Sequence, residues 1–87
     1  MYSLRILQSA AKELEKIDRS MAERIADRIQ WLSENLDSTK LYPLKGELKG
    51  LYKIREGSFR VIFEILKSER TIIIHSVGHR REIYKRR

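Results

Sequence analysis

The stretch Leu51-Tyr-Lys-Ile-Arg-Glu-Gly-Ser-Phe-Arg-Val-Ile-Phe-Glu-Ile-Leu66 decides the fold. Two alternating apolar and polar runs flank Gly57-Ser58, the pattern of a β-hairpin whose two-residue turn takes glycine first, as in a type II′ turn. A turn that short fixes the register. Glu56 faces Phe59, Arg55 faces Arg60, Ile54 faces Val61, Lys53 faces Ile62 and Tyr52 faces Phe63. Side chains alternate across a sheet, so the hairpin sorts into two faces. Tyr52, Ile54, Val61 and Phe63 make a core face. Lys53, Arg55 and Arg60 converge on the other, with Ile62 among them. Three cations on one sheet face repel one another, and a fold that needed only solubility would scatter them.

Working outward, Thr71 to Val77 is the most strongly β-forming run in the chain, reached through the polar turn Lys67-Ser-Glu-Arg70. If Leu66 pairs with Thr71, Ile72 and Ile74 join Phe63 and Ile65 on the core face. The rows Lys53–Ile62–His75 and Arg55–Arg60–Val77 then cross the cationic face. Gly78 is expected to end this strand, ahead of a basic tail. Upstream, Tyr2 to Leu7 reads as a short strand. Ser9 is the expected N-cap of a first helix, about Ala10 to Ile17, with Ala10, Leu14 and Ile17 at helical spacing. Ser20 and Glu23 form a capping box for a second helix, Met21 to about Leu36, whose stripe is Ile25, Ile29, Leu32 and Leu36. Residues 37–49 read as a loop punctuated by Pro43 and two glycines. The expected fold is α+β, one domain over residues 1–87 in the order β-α-α-β-β-β. It is a small antiparallel sheet with a helical hairpin packed on one face and cations on the other, open face.

Charge distribution sharpens the function. The net charge is +7 over 87 residues. Residues 1–39 carry six Lys/Arg and seven Asp/Glu, whereas residues 40–87 carry thirteen and five, so all the excess lies in the second half. That half should attract a polyanion, nucleic acid first. With no cysteine and two histidines, disulfides, thiol catalysis and Cys-based zinc sites are excluded, and neither metal nor cofactor is expected. No apolar run reaches the roughly 18–20 residues of a membrane span, and no signal-peptide pattern opens the chain; a cytoplasmic home without membrane contact is expected.

The acids outside the helices, Glu47, Glu56, Glu64, Glu69 and Glu82, are scattered, which argues against a two-metal carboxylate nuclease. Lys, Arg, Tyr and His around a cationic face suit metal-free RNA cleavage, in which the ribose 2′-hydroxyl attacks the neighbouring phosphate. The protein must align the two, stabilise charge on the phosphorane and move protons. Arginine holds phosphate oxygens bidentately, a lysine crowded by like charge can serve as a general base, and tyrosine can stack on a base. The same groups without chemistry would make a plain nucleic-acid-binding face.

The run from Leu44 to Ile65, followed by Ser76-Val-Gly-His-Arg-Arg-Glu-Ile-Tyr84, resembles the RelE/ParE superfamily of bacterial and archaeal type II toxins. The resemblance covers essentially the whole chain. In the RelE branch it implies an mRNA interferase, an endoribonuclease that enters the ribosomal A site, contacts the small subunit and cleaves mRNA there. It also implies a cognate antitoxin whose acidic segment covers the basic face, and a toxin–antitoxin complex that binds operator DNA. Carried over by position, Arg60 matches the family's phosphate-stabilising arginine and Lys53 its first basic strand residue. Arg55 stands where these enzymes often have a second lysine, the proposed base. That departure leaves the base open between Lys53 and His75, since arginine keeps its proton. Arg80 matches the basic residue after the last strand, and Tyr84 the terminal aromatic that stacks on substrate. Lys53, Arg55, Arg60, Arg80 and Tyr84 are thus the expected catalytic set. Lys45, Lys49, His75, His79, Arg81, Lys85 and Arg86 are the expected RNA contacts. The alternatives are a ParE-like inhibitor of DNA gyrase, a non-catalytic nucleic-acid-binding module, and an inactive homologue kept for its antitoxin.

Overall fold

The hairpin forms as its sequence requires. In a computed structural model that describes residues 1–80, β3 (Tyr52–Glu56) and β4 (Phe59–Leu66) pair antiparallel with Arg55 opposite Arg60 and Lys53 opposite Ile62. Gly57 has φ +60°, and Ser58 does not share the positive sign, as a type II′ turn demands. Around the hairpin stand β1 (Ser3–Ile6), α1 (Gln8–Glu15), α2 (Arg19–Asn35), β2 (Tyr42–Pro43) and β5 (Thr71–His79). The sheet order is β1-β5-β4-β3-β2.

The α+β architecture stands, with helices on one face of the sheet. The sheet is mixed, because β1 runs parallel to β5 while the other neighbours are antiparallel. A helical crossover between β1 and the rest lets β1 enter beside β5 in the parallel sense. A two-residue strand, β2, lies within the stretch expected to be loop, with Tyr42 opposite Lys53 and Pro43 opposite Tyr52. Pro43 lacks an N–H, which an edge position tolerates.

The core is the face the alternation selects. Ile54, Val61, Phe63, Ile72, Ile74 and Val77 meet Ala10, Ile25, Ile29, Leu32 and Leu36 from the helices, and Tyr2 closes the β1 end. Helix ends differ from the expected ones. Leu7 precedes α1 and supplies no side-chain cap. Asp18, not Ser20, caps α2: its carboxylate accepts from the Met21 N–H at 3.1 Å. Asp18 sits two residues earlier with the extended backbone an N-cap needs, and an ionised acceptor at the positive helix end outcompetes the hydroxyl.

The β4–β5 ladder holds the expected register from Leu66↔Thr71 to Phe63↔Ile74 and then shifts by one, so that Ile62 faces Ser76 and Arg60 faces Gly78. His75 is the extra residue of this β-bulge. The rows Lys53–Ile62–His75 and Arg55–Arg60–Val77 are therefore corrected: Ser76 and Gly78 stand in them instead. The bulge is held from α1, where the Glu13 carboxylate accepts from the Val77 N–H at 2.8 Å and the Ser9 hydroxyl reaches the His75 carbonyl at 3.5 Å. β5 also runs through Gly78 to His79 rather than ending at the glycine.

Candidate phosphate-binding site

Register alone brings the cations together. Arg55 and Arg60 are directly opposite, where like charges destabilise a sheet on the order of 0.2–1 kcal/mol. Lys53 lies on the same face, two residues along β3. That face is not open at Arg60, which is buried, only 8% exposed. Its Nη1 donates to the Phe59 carbonyl at 3.3 Å, while its buried Nε–H has no partner among the described residues. A buried unpaired donor costs about 1–3 kcal/mol, and more when charged.

Arg60 opens into a cleft of about 420 Å³. Lys53 and Arg55 line it from the hairpin, Arg28 from α2, Tyr42 from β2 and Lys40 from the segment just before it. Among the described residues, neither Arg28, Arg55 nor Arg60 meets a carboxylate, whereas Arg24 is held by Glu56 at 2.8 Å and Arg19 by Glu23 at 3.4 Å. A group of guanidinium ions without counter-charge in a partly buried cleft is a site for an anion, and bidentate donors suit phosphate.

The other expected residues divide. Arg80 is exposed, and its N–H donates to the Ser58 carbonyl at 2.9 Å, which continues the ladder one step and sets Arg80 beside the hairpin turn. Lys45 and Lys49 are exposed on the β2–β3 loop and do not line the cleft. His75 is turned to Glu64, with Nε2 2.8 Å from Oε1, and also lies outside the cleft lining. His79 pairs opposite Phe59 on the helix-bearing side, its ring edge-on at 5.7 Å, and borders a separate groove beside α1 with Lys12 and Lys16. Tyr84, Arg81, Lys85 and Arg86 lie outside the described residues. Sequence reasoning missed Arg28, Lys40 and Tyr42. Arg28 was hidden in a charge-balanced helix, and Tyr42 in a stretch that reads as loop, where only the β2–β3 pairing opposite Lys53 puts it on the cationic face.

Fold and site together define a small α+β protein with a basic cleft on its hairpin. The chain belongs to the ParE toxin family of type II toxin–antitoxin systems, whose model matches residues 4–84, and so to the RelE/ParE group of toxins. It is 28% identical to Toxin RelG of Mycobacterium tuberculosis, with 98% of each chain covered. It superposes on a chain of the RelBE2 toxin–antitoxin complex of the same organism with a TM-score of 0.81 at 26% identity, covering 91% of both. The isolated Escherichia coli RelE toxin shares the fold, with a TM-score of 0.74 at 23% identity over 98% of this chain and 93% of that one. Among the described residues no helix is long and apolar enough to cross a membrane.

Proposed function

We infer that this toxin is a ribosome-dependent endoribonuclease that cuts mRNA in the A site without a metal ion. The 2′-oxygen attacks the adjacent phosphorus as its proton passes to a base. The bond from phosphorus to the 5′-oxygen breaks, and the leaving oxygen takes a proton. The products carry a 2′,3′-cyclic phosphate and a 5′-hydroxyl. Arg60 stabilises the phosphorane, with Arg55 beside it. Lys53 is the base on the cleft wall, and Arg80 is placed to approach from the hairpin turn. The family resemblance assigns Tyr84 to stacking. The observation that carries this reading is Arg60, a buried guanidinium without a carboxylate partner among the described residues, facing a cleft that Lys53 and Arg55 share. Preorganised charge of this kind is what phosphoryl transfer needs.

The RelBE2 toxin–antitoxin complex supports a cognate antitoxin as partner. On the family resemblance we assign the chain to the cytoplasm, the antitoxin's acidic segment to the basic face, and operator DNA binding to the complex. The test is a programmed ribosome carrying mRNA with a single 2′-deoxy nucleotide before the cut. Cleavage should cease there and persist at unmodified sites; undiminished cutting at the deoxy position rules the mechanism out. A second reading, the ParE-like inhibition of DNA gyrase that the resemblance offers as the alternative, is favoured by the family model, which describes ParE toxins.

A further inference from the structure

Arg28 has no place in the proposed chemistry, yet it lines the cleft from the opposite wall. Its guanidinium carbon lies 4.5 Å from the centre of the Trp31 ring, a cation–π contact to the ring face that occupies none of its N–H groups. Its Nε is buried without a partner among the described residues, as is that of Arg60, and these are the two such side-chain atoms there. Lys40 lines the same cleft, its Nζ 5.7 Å from the centre of the half-exposed Tyr42 ring. Arginines that serve only the fold look different here: Arg24 grips Glu56, and Arg70 stacks on Tyr2 within 3.9 Å of Asp37. The cleft volume, about 420 Å³, is within the range that holds a small ligand, roughly 300–1,000 Å³. It therefore has room for more than one phosphate group.

We propose that Arg28, with Lys40, holds a second phosphate of single-stranded RNA, flanking the one that Arg60 grips. The proposal rests on the RNA reading above and adds a binding subsite on α2. Arg28 is a binding and positioning residue; it touches the backbone away from the reacting atoms. Because it grips the RNA before and during the reaction alike, its removal should weaken binding more than it slows the chemical step.

The test is a titration of the full chain with a short 2′-O-methyl RNA, which lacks the nucleophile and is not consumed, by fluorescence anisotropy across a salt series. Every phosphate of a single strand that the protein ceases to neutralise lowers the slope of log affinity against log salt by about 0.7. Arg28→Gln should lower it by that amount and weaken binding about tenfold or more, while Arg28→Lys keeps the slope. A merely structural role would shift unfolding without changing the slope. If Arg28→Gln does not fold, exposed Lys40→Gln is read in its place and must also lower the slope. An unchanged slope in a folded variant, with wild-type RNA binding and ribosomal cutting intact, overturns the subsite and leaves the nuclease assignment standing. No RNA binding by the wild type overturns the subsite, and if programmed ribosomes also go uncut it overturns the nuclease reading with it. A slope that falls for a glutamate-rich peptide but not for RNA makes the cleft an acidic-peptide site and overturns the proposal.

Discussion

Replacing Arg60 by methionine should separate stability from function. The side chain is buried to 8% exposure, lies opposite Arg55 and has an Nε–H without a partner among the described residues. Methionine keeps an unbranched stem of similar reach and removes the charge. The change relieves about 0.2–1 kcal/mol of cross-strand repulsion and about 1–3 kcal/mol from the unsatisfied donor. Against these stands the 3.3 Å hydrogen bond to the Phe59 carbonyl, worth about 1.5–3 kcal/mol for a charged donor. The terms nearly cancel: their midpoints, about 2.6 kcal/mol gained and about 2.2 kcal/mol lost, leave a net gain of a few tenths of a kcal/mol, or a Tm within about 3 °C of the wild type for a domain of this size. Activity moves the other way: losing a charge-stabilising donor costs about 2.7–4 kcal/mol of barrier, a factor of roughly 10²–10³. Circular-dichroism melts beside cleavage assays on programmed ribosomes read both quantities. A folded Arg60→Met variant that melts well below the wild type would refute the reasoning, because the guanidinium would then be serving the fold rather than waiting for an anion. Wild-type cutting by a folded variant would refute its role in the chemistry.

Other outcomes follow from the local geometry. Asp18→Ala should cost about 0.5–2 kcal/mol in chemical denaturation, and Ser20→Ala much less, since Asp18 holds the Met21 N–H; equal costs would contradict that assignment. Gly57→Ala should destabilise by about 1–2 kcal/mol, because φ is +60°, while the added carbon would meet the Met21 methyl only at ordinary contact distance, 3.4 Å; a neutral result would mean the turn does not hold this residue at positive φ. Phe63→Ala, at a fully buried position, should cost about 3–5 kcal/mol and leave the chain largely unfolded at 37 °C by the same melts. Arg24→Ala should cost no more than about 1 kcal/mol, because its bridge to Glu56 is more than half solvent-exposed on the arginine side; a larger loss in urea would mark the bridge as structural.

The hairpin was legible because two local features, a two-residue Gly-Ser turn and strict alternation, leave one register that buries Ile54, Val61 and Phe63. That register already puts Arg55, Arg60 and Lys53 on one face. The β-bulge was not legible, since His75 becomes the extra residue through contacts from Ser9 and Glu13, more than sixty positions away in sequence. The cap of α2 misled in a simpler way: the capping-box pattern favours Ser20, but the helix starts at Arg19, so the serine already lies in its first turn and the cap falls to Asp18. The burial of Arg60 was also hidden, because alternation tells which face a residue takes and not how deep that face lies. Arg28 shows the same limit from the other side. A charge-balanced helix looks like plain support until the fold brings one of its cations to the rim of a cleft whose other cations come from the hairpin.

The most direct test is to express the chain without its antitoxin and map mRNA ends on translating ribosomes while probing gyrase–DNA complexes. The nuclease assignment predicts cuts inside A-site codons that end in 2′,3′-cyclic phosphates, abolished by Arg60→Met, and gyrase left untrapped. Intact mRNA together with trapped gyrase–DNA complexes would contradict it.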